Sequence, residues 1–266
     1  DVSLAVRKGD FVIVTGPNGA GKTTLLMSMA GAIPHYYGGT MQGMVFTDGK
    51  AVTQHNIADL ASSIGVILSD YKAQIVTLTV GGEMAFTLEN HGFPPEEIRR
   101  RSKEALAKVH LEGLEDRKVT TLSGGQCQRL VVAAVLAEEP DVLVFDEPTS
   151  ALDPEGIREF YEMVGELNEK EGLTVIVAEH HLEAALPYAK KFVLMNHGEI
   201  IVSGTPEEVM RRMYTEHIYE EAIPDMYKAQ LELEQVGMTF EKPFLNLADA
   251  ETSVIHSFAK GGEKDA

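Results

Sequence analysis

"FVIVTGPNGAGKTTLL", residues 11 to 26, decides the fold of this 266-residue chain. Its first five residues are apolar or β-branched, which is typical of a strand buried on both faces. Three glycines and a proline then separate this strand from an apolar pattern with helical spacing that begins at Lys22. Because a helix that starts at a glycine-rich turn presents unpaired backbone N–H groups, the stretch predicts an anion site.

The turn also has the spacing G-x-x-x-x-G-K-[ST], with a strand before it and a helix after it, which is the context that a P-loop requires. In a P-loop the backbone N–H groups surround the β-phosphate of a nucleotide, the lysine neutralises the β- and γ-oxygens, and the hydroxyl ligates Mg²⁺. We therefore predict Lys22 as a catalytic residue and Thr23 as a metal ligand. The predicted nucleotide-binding residues are Gly16, Pro17, Asn18, Gly19, Ala20, Gly21, Lys22, Thr23 and Thr24.

Strand patterns alternate with helical patterns along the rest of the chain. Residues 63–68, 141–146 and 173–179 have the apolar character of buried strands, and residues 154–171 have that of a helix capped by Asp153. This alternation predicts an α/β fold with a mostly parallel sheet covered on both faces. Residues 72–138 predict a helical insertion. Residues 190–212 predict an antiparallel hairpin followed by a helix that begins at Thr205 and Pro206.

"VLVFDEP", residues 142 to 148, is an apolar strand that ends in two carboxylates. Beside a P-loop, Asp146 at the end of the strand is placed to hold Mg²⁺. Glu147 is placed to polarise an attacking water.

"TTLSGGQCQRL", residues 120 to 130, predicts a second helix N-terminus with open backbone amides. Ser123 is a good N-cap, and Gln126 occupies the third helical position that a capping box prefers. The two glycines leave the first amides unobstructed, so this helix predicts a second anion site.

These motifs, together with "SALD" at residues 150–153 and a histidine after a later strand, resemble the nucleotide-binding domain of ABC transporters over most of residues 1–213. The resemblance implies a P-loop NTPase that binds ATP and Mg²⁺ and pairs head to tail with a second such domain. ATP then lies between the P-loop of one domain and the signature motif of the other. The signature residues here are Leu122, Ser123, Gly124, Gly125 and Gln126.

The resemblance also implies individual roles. Glu147 corresponds to the catalytic base, and Asp153 to the D-loop that joins the two sites. His180, in "AEHHLE", corresponds to the switch histidine that contacts the γ-phosphate. His181 is the alternative, and the step from the preceding strand favours His180.

Two departures from the family pattern matter. Ser69 stands where the family usually has the Q-loop glutamine that ligates Mg²⁺, and Gln74 could replace it only if the loop were rearranged. Ser69 is therefore a further candidate metal ligand, and slower hydrolysis or weaker coupling is an alternative for this site. In addition, the chain starts inside the family's antiparallel part, so we expect the N-terminal strand to be missing.

Residues 31–50 and 73–94 further resemble the ATPases of energy-coupling-factor (ECF) importers, which take up vitamins or transition-metal ions. The resemblance implies an ABC ATP-binding domain at 1–215, with a helical subdomain at about 72–138 that contacts a transmembrane coupling subunit. Residues 216–266 are expected to be an acidic extension or linker. The partner ATPase domain could be a second copy, a different subunit or a tandem half.

Composition excludes several classes of partner. The formal net charge of −18 argues against nucleic acid and against direct binding to an anionic membrane. It also counts against a non-transport ABC ATPase acting on ribosomes or DNA, which is one alternative function. A regulatory half of a heteromeric or tandem ATPase is another. The single cysteine, and apolar runs far shorter than the about 20 residues of a membrane span, favour a cytoplasmic protein that reaches the membrane's inner face only through its partner.

Overall fold

The computed structural model describes residues 2–240, 242–245 and 247–261. A six-stranded sheet forms its centre. Its strands are β1 (Phe11–Thr15), β4 (Ile64–Ile67), β5 (Val142–Asp146), β6 (Thr174–Ala178), β7 (Lys191–Asn196) and β8 (Glu199–Gly204). They lie side by side in the order β4-β5-β6-β1-β7-β8. Five strands are parallel and β8 pairs antiparallel with β7, while β2 (Phe46–Thr47) and β3 (Lys50–Ala51) form a separate antiparallel pair. The predicted mostly parallel sheet with an antiparallel part is confirmed.

Helices cover the sheet. They are α1 (Lys22–Met29), α2 (Ala32–His35), α3 (Ile57–Ala61), α4 (Val80–Asn90), α5 (Pro95–Lys108), α6 (Gly124–Leu136), α7 (Pro154–Glu171), α8 (Pro206–Thr215), α9 (Asp225–Gln235) and α10 (Leu247–Gly261). Side chains of Asp153 and Thr205 cap α7 and α8, as the sequence predicted.

The alternation of side chains along β1 explains why both faces of the sheet are covered. Phe11 and Ile13 contribute to the larger of two apolar clusters, and Val12 and Val14 contribute to the smaller one. All five residues of β1 are buried. A strand that packs on both faces needs a continuous apolar run, which is what residues 11–15 supply.

The segment between β4 and β5 carries α4, α5 and α6, which is where the sequence predicted a helical insertion. Each helix has a recognisable start: Thr79 caps α4, Pro95 stands at the first position of α5, and Ser123 caps α6. The exact limits of the insertion, at about 72 and 138, stay a prediction.

Part of the segment after residue 215, expected to be an extension or linker, packs on the core. After α8 the chain forms α9, and Ile223, Tyr227 and Leu231 are buried in the larger apolar cluster. Sequence patterning missed this because only a few positions of this acidic segment are apolar. In the described ranges, no helix combines the length and the apolar composition needed to cross a bilayer.

Candidate active site

The P-loop connects the end of β1 to the start of α1. Gly21 adopts a left-handed conformation at φ 99° as the N-cap of α1, a conformation that favours glycine. Gly16 lies so close to Met195 that a β-carbon would collide with the carbonyl oxygen of that residue. The loop therefore needs glycine at both positions. α1 lacks a side-chain cap, so the loop leaves backbone amides at the start of the helix for a ligand.

Lys22 is 5% exposed, and its ammonium group closes the loop. The Nζ donates to the carbonyl oxygen of Gly16 at 2.9 Å and lies 3.1 Å from Nε2 of His180. Burial lowers the pKa of Lys22, while the carboxylates of Glu147 and Asp146 act against that shift. The lysine therefore points into a region that already holds negative charge.

Thr23 and Asp146 face each other across the site. The Thr23 hydroxyl lies 3.0 and 2.9 Å from the two carboxylate oxygens of Asp146, at the end of β5. Burial raises the pKa of Asp146, and the hydrogen bond from Thr23 opposes the rise. A hydroxyl and a carboxylate side by side form the oxygen donor set that Mg²⁺ prefers, so these two residues fit the predicted metal site.

Glu147 and His180 meet directly. Oε1 of Glu147 lies 3.1 Å from Nε2 of His180, and the other ring nitrogen, Nδ1, lies 3.2 Å from the hydroxyl of Tyr219. Glu147 has φ 49°, a conformation that a non-glycine residue adopts at a cost and that is common at functional sites. His181 is exposed, and it is the side chain of His180 that reaches the site.

A buried carboxylate, Glu179, fixes the backbone at His180 and His181. It is 2% exposed, and it accepts hydrogen bonds from the hydroxyls of Thr149 and Tyr161 at 2.7 and 3.0 Å. It also accepts from the backbone N–H of His180 at 2.9 Å and of His181 at 3.2 Å. Glu179 was not predicted from the sequence, although a charged residue at the end of an apolar strand was a usable signal.

The signature motif forms the start of α6 with the predicted capping box. Gln126 N–H donates to the Ser123 hydroxyl at 3.2 Å, and Ser123 N–H donates to the Gln126 side chain at 3.0 Å. Leu122 precedes the cap and packs against the larger apolar cluster. In the described part of the chain, the amides of Gly124 and Gly125 donate to no protein acceptor.

A glutamine that the sequence analysis did not single out connects this helix to the Glu147 region. Gln128, on α6, is 1% exposed and donates through Nε2 to the carbonyl oxygen of Pro148 at 2.6 Å. The start of α6 is thus tied to the residue that follows Glu147.

The remaining predicted residues have other surroundings. Ser69 is exposed, just after β4. Gln74 cannot take over a ligand role without rearrangement, because its side chain accepts from Leu68 N–H at 2.8 Å and donates to the carbonyl oxygen of Val66 at 3.0 Å. The Asp153 carboxylate accepts from Gly156 N–H at 2.8 Å as the cap of α7.

The site can therefore hold a polyphosphate by its backbone amides and by one lysine. It offers a hydroxyl and a carboxylate to a divalent cation, and it places a second carboxylate beside a histidine. This is the set of groups that phosphoryl transfer to water requires.

Comparisons with known proteins agree with this geometry. A family model described as "ABC transporter" matches residues 1–150. A protein of Pyrococcus abyssi named as an ABC transporter ATP-binding protein is 39% identical over 90% of this chain and 85% of its own length. The energy-coupling factor transporter ATP-binding protein EcfA2 of Methanospirillum hungatei is 39% identical over 78% of this chain. The chain spans 51% of the length of that relative, and about a third of the length of others.

Two solved structures are similar throughout the fold. CbiO1 of Clostridium perfringens, described as part of the ABC transporter complex cbiONQ, has a TM-score of 0.72 and 30% identity and covers 88% of each chain. A dimeric post-hydrolysis state of the ATP-binding cassette MJ0796, bound to ADP and Pi, has a TM-score of 0.65 and 27% identity, over 77% of this chain and 89% of that one.

Proposed function

This chain belongs to the ABC transporter ATP-binding family and is an ABC-type ATP hydrolase, and we propose that it powers solute import through a membrane transporter by head-to-tail dimerisation. The solute is of the vitamin or transition-metal type, as for ECF importers. Residues 1–215 are the ATP-binding domain in this proposal, with the helical subdomain at about 72–138 and the extension at 216–266.

The observation that carries the dimer is the open start of α6. A β-carbon at Gly125 would meet no atom within 4 Å, so the chain's own packing does not require glycine there. Two adjacent amides without a protein acceptor form an anion site whose ligand comes from elsewhere. The γ-phosphate of a nucleotide held by a second ATPase domain supplies it, with Leu122 to Gln126 as the contact.

Each residue of the site has a role in this proposal. Lys22 and the amides of residues 16–24 bind the phosphates, and Glu147 polarises the attacking water. His180 donates a hydrogen bond to the γ-phosphate, and Asp153 belongs to the loop that connects the two sites. Thr23 and Asp146 would hold Mg²⁺, which supplies neutralisation of phosphate charge when bound. Ser69 is a further, weaker candidate for a metal ligand.

The partner in the membrane is a transmembrane coupling subunit. A groove of about 310 Å³ is lined by Tyr36, Tyr37, Ile57 and Leu68, between the sheet layer and the predicted insertion. Tyr36 is 75% exposed and Tyr37 is 63% exposed. Apolar side chains gathered on an exposed surface favour contact with another protein. Attachment through this partner places the chain on the cytoplasmic face of the membrane.

Ser69 favours a second candidate, a slow regulatory half of a heteromeric or tandem ATPase. A serine side chain is shorter than the glutamine usual at this position, and the one nearby glutamine, Gln74, is engaged with backbone groups. In that case a partner domain would carry out most of the hydrolysis.

The test removes the proposed base. We expect Glu147→Gln to bind Mg-ATP without hydrolysing it and to double in mass on a sizing column with light scattering, because the closed dimer is trapped. The unmutated chain should hydrolyse ATP, and Glu232→Gln, at an exposed carboxylate on α9, should behave like it. A Glu147→Gln variant that binds ATP and stays monomeric would contradict a homodimer, and an inactive parent would favour the regulatory alternative.

A further inference from the structure

The second ring nitrogen of His180 has a partner from outside the predicted ATP-binding domain. The hydroxyl of Tyr219 lies 3.2 Å from Nδ1, and the two residues are 39 positions apart. Tyr219 belongs to the connection between α8 and α9, which the sequence analysis assigned to an extension or linker. No motif pointed to this residue.

The connection is held in a defined conformation. Tyr219 has φ 50°, which is unusual for a bulky residue and persists only where the surrounding structure offsets its cost. Ile218 N–H donates to the carbonyl oxygen of Met213 at 2.9 Å before this residue, and Ile223 and Tyr227 are buried after it. The backbone is therefore fixed on both sides of the tyrosine.

The other ring nitrogen of His180 faces the reacting groups. Nε2 lies 3.1 Å from Lys22 Nζ and 3.1 Å from Glu147 Oε1. When Nε2–H donates to a phosphate, a neutral imidazole must accept a hydrogen bond at Nδ1, and the Tyr219 hydroxyl can donate it. The same hydroxyl can accept from Nδ1–H when Nε2 accepts from Lys22, so it fits both tautomers.

The phenol keeps its proton under ordinary conditions. Burial raises the pKa of Tyr219, and the nearby carboxylates of Glu221 and Glu147 raise it further. A hydroxyl that stays protonated remains available as a donor to Nδ1.

We propose that Tyr219 is a positioning residue for His180: its hydroxyl holds Nδ1, so that Nε2 stays directed at Lys22, Glu147 and the phosphate site. The inference rests on the proposed function for the role of His180, but the contact itself does not depend on ATP. A residue of the segment after α8 thus completes the hydrolysis site.

The test compares Tyr219→Phe, which keeps the ring and removes only the hydroxyl, with Tyr214→Phe on α8 as the matched control. The first readout is the ¹⁵N resonance of the Nδ1 atom of His180 in the nucleotide-free protein, assigned by its loss in His180→Gln. We expect this resonance to move in Tyr219→Phe and to stay in Tyr214→Phe.

The second readout is ATP hydrolysis. We expect Tyr219→Phe to lower kcat about fivefold to tenfold, the size that losing one hydrogen bond produces, while KM for ATP changes less than about twofold. A role in packing alone would leave both readouts at their parent values, because the phenyl ring fills the same space.

An unchanged Nδ1 resonance overturns the inference, and so does a moved resonance with an unchanged kcat. If the resonance moves while the parent protein hydrolyses no ATP, the contact stands and the proposed function fails. The two failures are therefore distinguishable.

Discussion

The ionised carboxylate of Asp146 in the site costs folding free energy. Asp146 is 6% exposed and lies beside Glu147, and burial raises its pKa above the ordinary value of 3.8. A carboxyl group whose pKa is higher in the folded than in the unfolded chain destabilises the fold when it is ionised. This cost is fully present above the raised pKa and disappears below pH 3.8, where both states bind the proton.

Replacing Asp146 with asparagine therefore separates stability from activity. We expect Asp146→Asn to raise Tm at pH 8 by about 2–4 °C, the shift that ~1 kcal/mol produces in a chain of this size. The amide oxygen still accepts from Thr23, and Lys22 keeps Glu147 as a counter-charge. ATP hydrolysis should fall about 100-fold or more, because one oxygen ligand for Mg²⁺ is weakened.

Thermal unfolding at pH 8 and at pH 5 checks the sign of the change in Tm. The stabilisation should be smaller at pH 5, since the parent carboxyl is closer to protonation there. Asp116→Asn, at an exposed carboxylate in the turn between α5 and α6, should leave Tm unchanged at both values. A lower Tm for Asp146→Asn at pH 8 would show that the ionised carboxylate stabilises the fold.

At this scale the sequence predicted the residues that motifs mark and missed those that only folding brings together. Lys22 and Glu147 stand at fixed spacings from glycines or from a strand end, and the structure places both beside His180. Tyr219 reaches that histidine from 39 positions away, and no local pattern could indicate the contact. Glu179 was visible as a charge after a strand, but its four hydrogen-bond donors come from three separate parts of the chain.

The signature helix shows how an element can be built for a ligand rather than for its own stability. Its N-terminus has a complete capping box, yet glycine, a poor helix former, follows the cap twice. At Gly125 the space for a side chain is empty. The glycine therefore costs helix stability without a packing reason inside this chain.

Substitution of that glycine should stabilise the fold and abolish the activity. We expect Gly125→Ala to raise the free energy of unfolding by about 0.5–1 kcal/mol, the helix-propensity difference between the two residues. ATP binding to the P-loop should persist, while ATP hydrolysis falls about 100-fold, because the methyl group occupies the approach to the amides. Urea unfolding and ATPase assays measure the two effects.

Ser102→Ala, a small-residue change within α5, serves as the matched control and should keep the parent rate. A Gly125→Ala protein with parent activity would mean that nothing approaches these amides closely. The signature motif would then need another role.

Elements with strong local signals were predicted well. The strand at 142–146 and the helix at 154–171, with Asp153 as its cap, appear as expected because a continuous apolar run and a proline at the first helical position are local features. The helix after residue 216 was not predicted, because few of its positions are apolar, although its buried residues Tyr227, Gln230 and Leu231 have helical spacing.

For the whole molecule, that packing means that the site and the C-terminal segment share one core. Tyr227 is fully buried in the cluster that also contains Phe11 and Phe145, on the strands that lead to the P-loop and to Glu147. Ile255, on α10, is 68% exposed by contrast. Residues on both sides of the predicted boundary at 215 thus contribute to the same apolar cluster.

Two alanine variants test whether the chain unfolds as one unit through that boundary. Tyr227→Ala removes a buried aromatic ring, so we expect it to lower the free energy of unfolding by about 3–5 kcal/mol, whereas Ile255→Ala should cost less than about 0.5 kcal/mol. In urea, the P-loop region and α9 should lose structure at the same midpoint. Nucleotide binding monitors the P-loop region, and a fluorophore attached to α9 monitors that helix. Two separate midpoints, or a Tyr227→Ala protein as stable as the parent, would show that residues after 215 form an independent appendage. In that case Tyr219 could leave His180 without disturbing the rest of the site.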